Sequence, residues 1–212
     1  MGKISQGILG GFSGKVGSVV GANWKGINYM RAKAVSVANP RTDGQVKQRT
    51  KFSVTLKFLQ PLTAFLRVGY KNYANKKTAF NAAMSYVIEN AIIGEFPDFS
   101  IEPSKVLVSR GMLTTALNAN FSFGEGAINV SWDDNSDVGN ANANDKALIV
   151  AYNTTKMEVV YTTSGANRSE KAQPMQVPQE WASDSVIVYV GFISEDGSQI
   201  ANSVIAADLT NR

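Results

Sequence analysis

Eight glycines fall within the first 38 residues, at positions 2, 7, 10, 11, 14, 17, 21 and 26. Glycine at that density is incompatible with a stable helix, so this stretch is limited to short extended pieces joined by turns. The pieces between the glycines are apolar and β-prone: Ile8-Leu9, Val16, Val19-Val20, Trp24, Ile27 and Tyr29. Extended backbone over 27–31 puts Ile27, Tyr29 and Arg31 on one face. Ser13-Gly14-Lys15 and Lys25-Gly26 read as turns. The expectation is a small meander or pair of hairpins that buries little by itself and needs another part of the chain, or another chain, to hold it.

The periodicity then changes. Residues 39–94 read as helix. Asn39-Pro40-Arg41-Thr42 is a turn that ends on an N-cap candidate, Thr42, with Gln45 three residues on. Phe52, Leu56, Leu59 and Leu62 recur at helical spacing and predict a buried stripe. Pro61 predicts a break followed by a short second helix that ends at Gly69. A further helix starts near Thr78, with Phe80, Met84, Val87 and Ala91 on its apolar face and Gly94 as the C′ residue. The zone reads as a helical hairpin.

Residues 95–212 read as β-structure, with strands expected at 105–109, 127–132, 146–152, 157–162, 171–177, 185–194 and 199–207. Turn signals lie at 124–126, 133–145, 164–165 and Asp196-Gly197, the last a hairpin signal. Trp132 and Tyr152 are candidate core aromatics. The expected fold is α+β: a glycine-rich β segment and helical region over 1–104, then an antiparallel β-sandwich over 105–212 of the fibronectin type III or immunoglobulin kind.

Composition narrows the chemistry. The chain has no His and no Cys, which removes the commonest general base, the thiol nucleophile and the thiolate metal site. No G-x-S-x-G elbow is present. The start of the chain suggests a phosphate loop, but only three residues separate Gly10 from Gly14-Lys15, and Val16 stands where a magnesium-binding hydroxyl belongs. Asp133-Asp134-Asn135-Ser136-Asp137 resembles the opening of a calcium loop, yet Val138 and Asn144 stand where an EF-hand needs Gly and Glu. A solvated turn is the default there, with calcium left open. No catalytic residue, cofactor or metal is assigned, and the expectation is a non-enzymatic protein.

Charge supplies the one candidate site. Within the first 77 residues there are fourteen basic residues and a single acid, Asp43, whereas the remainder carries seven basic and sixteen acidic residues. Such asymmetry points to an acidic partner, either nucleic acid or the acidic half of a neighbouring copy. The candidate contacts are Lys15, Lys25, Arg31, Lys33, Arg41, Lys47, Arg49 and Lys51. Lys47 and Lys51 are i, i+4 neighbours on one helix face. Trp24, Tyr29, Phe52, Tyr70 and Tyr73 are interleaved with the charges and could stack on bases. The beginning of the sequence lacks a continuous apolar core, so no signal peptide is expected, and no stretch is long enough to insert into a bilayer.

Two motifs carry a resemblance. Residues 7–17, Gly-Ile-Leu-Gly-Gly-Phe-Ser-Gly-Lys-Val-Gly, with Trp24-Lys25-Gly26 and Tyr29-Met30-Arg31, resemble the start of an uncharacterised Bacteroidota family known as a domain of unknown function. Residues 80–84 and 105–111 look like the same family. Asn39-Pro40-Arg41-Thr42 with Gln45, Arg49 and Phe52 is similar to a pattern found in small phage and prophage proteins. That second likeness implies a structural component of a virion or virion-like assembly (head–tail, tail or capsid-associated), made in the bacterial cytoplasm, forming homo-oligomers or binding other virion proteins. The alternatives are a non-specific nucleic-acid-binding protein and a surface adhesion module.

Overall fold

The computed structural model describes residues 2–4, 7, 10–36, 41–124 and 126–209. The chain divides into two compact units, Met1–Thr42 and Asp43–Arg212.

In the first unit, strands β1 (Lys3–Ile4), β2 (Phe12–Val16), β3 (Val19–Trp24) and β4 (Ile27–Ala32) form an antiparallel sheet in the order β1-β2-β3-β4. Lys25 and Gly26 close the β3–β4 hairpin with φ of 49° and 87°. Two successive positive φ values are what a type I′ turn demands. Ser13-Gly14-Lys15 is not a turn: it lies inside β2, and the chain reverses at Gly17-Ser18 instead, with Gly17 at φ 57°. Gly21 is the sole buried residue among those described in this unit. A Cβ placed there would lie 2.6 Å from the Phe12 ring, so the missing side chain is what lets that ring lie across the sheet. The expected Asn39-Pro40 turn lies outside the described residues.

The second unit begins with helix α1 (Asp43–Leu59). A 3-10 turn at Gln60–Leu62 carries Pro61, and α2 (Thr63–Gly69) follows. Proline lacks the N–H that would continue the α1 ladder, so the break falls where expected. Helix α3 (Ala79–Asn90) is capped by Thr78, whose hydroxyl accepts from the Asn81 N–H at 3.1 Å. Met84, Val87 and Ala91 are buried and Phe80 is partly so. Gly94 does not cap α3, which ends at Asn90 with Ala91 as its C-cap. It takes φ 84° in the turn between β5 (Ile92–Ile93) and β6 (Ser100–Ile101).

The buried stripe of α1 differs from the expected one. Phe52 is 51% and Leu56 37% exposed, whereas Thr55, Phe58 and Leu59 are buried. The helix is covered only toward its C-terminal end, where the Phe58 ring meets Tyr152 edge-on at 4.8 Å. Thr55 tolerates burial because its hydroxyl donates to the Lys51 carbonyl at 2.9 Å.

Eight further strands build two sheets: β7 (Leu117–Gly124), β8 (Ala127–Asp133), β9 (Lys146–Asn153), β10 (Glu158–Thr162), β11 (Ala172–Gln176), β12 (Val186–Ile193), β13 (Val204–Ile205) and β14 (Ala207–Asp208). One sheet runs β10-β9-β12-β13 and the other β11-β8-β7-β14, with β14 parallel to β7. The expected strand 105–109 is instead a 3-10 turn at Pro103–Lys105 followed by a connection without strand pairing, in which Val106 and Val108 are buried. The expected strand 199–207 reduces to β13, the start of β14 and isolated bridges at Ile200 and Ala201.

Two cores flank the β10-β9-β12-β13 sheet. Ile149, Val188, Val190 and Phe192 join Phe121, Ile128, Val130 and Trp132 of the other sheet. Leu148, Val150, Tyr152 and Tyr189, which alternate with them, join the helices. Trp132 and Tyr152 are thus both buried aromatics, but in different cores. Residues near 104/105 connect two parts of one unit: the Tyr70 hydroxyl donates to the Leu107 carbonyl at 2.9 Å, and the Arg110 N–H to the Gly69 carbonyl at 2.9 Å. Residues 43–212 should therefore melt cooperatively when expressed alone. Residues 105–212 alone should lack a cooperative transition, since removing the helices bares Leu148, Val150, Tyr152 and Tyr189. Calorimetry on the two fragments checks this.

Burial raises the pKa of Tyr70 and Tyr189 and pushes that of Tyr152 up to about 12. All three stay protonated in the folded chain while the unfolded chain ionises near pH 10. Their contribution is complete below that pH and is lost as pH rises toward the folded values. Unfolding free energy should fall by up to about 4 kcal/mol per pH unit above pH 10, measured by denaturant titration at several alkaline pH values.

Candidate interaction surface

Side chains alternate across a strand, so the register of the N-terminal sheet sorts its residues onto two faces. Gly14, Gly21 and Met30 lie in one cross-strand row, and Phe12 pairs with Ile4. This face therefore carries Ile4, Phe12, Val16, Val19, Met30 and Ala32, with the paired Asn23 and Asn28 toward one end. Ile4, Val16 and Met30 are 60%, 56% and 71% exposed. The opposite face has Lys15, Val20 and Arg31 in one row, Lys3 beside Ser13, and Tyr29 and Trp24 further along. Trp24 is 62% and Tyr29 44% exposed, and the Lys25 Nζ lies 4.9 Å from the centre of the Trp24 ring. No acidic residue occurs anywhere in 1–42.

The eight expected contact residues fall on both units. Lys15, Lys25, Arg31, Lys33 and Arg41 belong to the first, all exposed; Lys47, Arg49 and Lys51 belong to α1 of the second. Lys15 and Arg31 share one sheet face, with Lys25 in the turn at its end. On α1, Lys47 is exposed and Lys51 is half-buried, its Nζ 5.0 Å from the centre of the Phe99 ring. Arg49 stands two residues from each and therefore points elsewhere on the helix. It shares a side with the exposed Phe52 and Leu56.

The 133–145 segment has a use that spacing alone does not reveal. Asp133 accepts from the Asn118 amide at 2.6 Å, and Asp134 accepts from the Ser136 hydroxyl and from the Ser136 N–H at 3.1 Å, which hold its carboxyl below the usual carboxylate range. Asp145 is buried against Arg168, itself fully buried. The guanidinium reaches the Asp145 carboxylate at 3.1 Å, Asn135 Oδ1 at 2.6 Å and the Thr114 carbonyl at 2.9 Å, and lies 3.8 Å from the centre of the Phe192 ring. Among the described residues no group of three or more His, Cys, Asp or Glu is placed to hold a metal. A polar cleft of about 430 Å³ adjoins this loop, with Asn140, Asn144, Glu195 and Asp196 in its wall. Ser194 and Ser198 donate to Asp196 and hold its carboxyl at about 2.

These features define an α+β protein in which a basic, nearly coreless sheet accompanies a compact unit of helices and two β-sheets. Residues 11–207 match the model of DUF6266, a family of unknown function, and the chain belongs to that family. No curated protein and no solved structure matches it. Among the described residues no helix is long and apolar enough to cross a membrane.

The two kinds of charge are separable by stability. Replacing Arg168 with Ala leaves Asp145 buried without its cation and should cost about 3–5 kcal/mol. Replacing Lys47, Arg49 and Lys51 with Gln should cost no more than about 1 kcal/mol each. Thermal and chemical melts of the two variants test the difference.

Proposed function

We propose that this chain is a non-enzymatic structural component of a phage virion or virion-like assembly, joined to its neighbours through the N-terminal sheet. One observation carries the reading: the sheet presents Ile4, Val16, Val19 and Met30 on a face where Gly21 is the one buried residue among those described in this unit. A small sheet needs a covering layer to be stable, and exposed apolar surface of this kind marks association sites. A neighbouring copy supplies that cover, and a basic unit meeting the more acidic remainder of another copy makes a head-to-tail contact, which closes into rings or runs on as filaments. The phage setting rests on the likeness of the 39–52 pattern to small phage proteins.

The second unit fits the role of a spacer or exposed module. In the lettering of an immunoglobulin-like sandwich, β7, β8 and β11 take places A, B and E, and β9, β12 and β13 take C, F and G. That order supports the fibronectin-like reading of the fold and by itself assigns no activity.

The test is the oligomeric state of the full chain by mass photometry and negative-stain microscopy. Defined oligomers are expected for the native sequence. Met30→Asp with Val16→Asp should reduce them to monomers while leaving the melting of the second unit unchanged. A native chain that stays monomeric at high concentration and is absent from purified particles would overturn the proposal.

A further inference from the structure

We propose that the basic face of the N-terminal sheet binds single-stranded nucleic acid, with bases stacked on Trp24 and Tyr29 and phosphates held by Lys15 and Arg31. The inference rests on the face opposite the apolar one and does not depend on assembly. Adjacent strands lie about 4.8 Å apart. Lys15 and Arg31, on either side of Val20 in one cross-strand row, therefore stand about 10 Å apart at the backbone. Trp24 pairs with Ile27, and Tyr29 lies two residues beyond Ile27 on the same strand. The two rings are diagonal neighbours on one face, about 7–8 Å apart at their backbones. That spacing gives each ring room for its own base.

The occupant is chosen by charge and by chemistry together. Residues 1–42 carry six basic residues and no acid, so a polyanion meets no repelling group on this unit. An acidic protein would satisfy the cations but leave Trp24, 62% exposed, without a planar partner. Nucleic acid supplies both, because each base has a π-face and each linkage a negative charge. The bases must be unpaired, since in a duplex their faces are already stacked. Nothing on this face reads a base edge in a fixed geometry, so binding is indifferent to sequence and sensitive to salt.

The structure also provides the probe. Of the three tryptophans, Trp132 and Trp181 are buried at 3% and 1% exposure, and Trp24 alone is open. Titrating the full chain with a twenty-residue oligothymidylate should quench the tryptophan emission that comes from Trp24. With a labelled oligonucleotide followed by anisotropy, Trp24→Leu and Tyr29→Leu should each weaken binding about tenfold. Trp24→Phe, which keeps a ring, should recover most of the loss. Lys15→Gln with Arg31→Gln should make the plot of log affinity against log salt shallower by about 1.4. Met30→Asp, on the other face, should leave binding unchanged and so separates this site from the assembly face.

Three results would each overturn the proposal. Inorganic polyphosphate binding as tightly as the oligonucleotide would show a surface that reads charge alone. Duplex DNA binding equally well, without quenching, would exclude stacking. Absence of oligonucleotide binding, with self-association lost in Lys15→Gln/Arg31→Gln, would make this face a protein contact.

Discussion

Arg168 is the point on which the loops of the second unit converge. Its side chain collects Asp145 from the segment before β9, Asn135 from the segment after β8 and the Thr114 carbonyl from the approach to β7. Its own carbonyl accepts from the Trp132 indole at 2.8 Å, and its backbone N–H donates to the Asp145 carbonyl at 2.8 Å. A guanidinium has five donors in a fixed plane, so it can hold several chain segments that share no strand pairing. Desolvation pulls its ionisation down, and Asp145 opposes that shift. Such a pair adds little net stability over an apolar substitute. What it adds here is position: the long 134–145 connection is fixed against the core by Asp145 and Asn135, which also bond the Asn142 N–H and the Thr115 carbonyl.

The second constraint is the double covering of the β10-β9-β12-β13 sheet. A sheet with one wet face alternates apolar and polar residues, whereas a sheet covered on both faces does not. In β9, Ala147 through Tyr152 are all buried, and in β12 so are Val188 through Phe192. One side of these strands completes the core shared with the other sheet, and the other side requires the helices. The helices and strands therefore form one unit, and the chain divides at Thr42/Asp43.

That unity of helices and strands is legible in the sequence. The unbroken run Ala147-Leu148-Ile149-Val150-Ala151-Tyr152 calls for a partner layer on each face, which only the helices at 43–90 can supply. Strand β7 also left a trace in the alternation of Leu117, Ala119, Phe121 and Phe123. It was obscured by Asn118, whose φ of 49° shifts the register between Leu117 and Asn120. The breaks at Pro61 and Gly69, the cap at Thr78 and the turn at Lys25-Gly26 were readable because each rests on local backbone chemistry. The exposure of Phe52 and Leu56 was not, since periodicity locates an apolar stripe but does not say where its cover ends. The Arg168–Asp145 pair was equally hidden: twenty-three residues separate its members, and no spacing rule links them. Of the candidate site, the charges and aromatics could be read in advance. Ile27, Tyr29 and Arg31 share a face as the alternation along one strand predicts, but which residues of the other strands join them follows from the register, which no local signal in the sequence specifies.

The N-terminal sheet poses the opposite problem from the rest of the chain. Its four strands are antiparallel and the turns at Gly17-Ser18 and Lys25-Gly26 are tight, yet among the described residues no second layer covers them. Phe12, Val19, Val20 and Ala22 are only half-buried, and the larger apolar side chains Ile4, Val16, Trp24, Ile27 and Met30 stay exposed. The glycines add to this exposure: Gly14 and Gly21 sit opposite one another in the register, where larger residues would have supplied cross-strand contacts. What remains is a thin sheet, apolar on one side and basic with aromatic rings on the other. The apolar side suits a partner that excludes water, and the basic side one that brings its own negative charge and flat surfaces. The two sets of residues alternate along the same strands, so one backbone displays both faces.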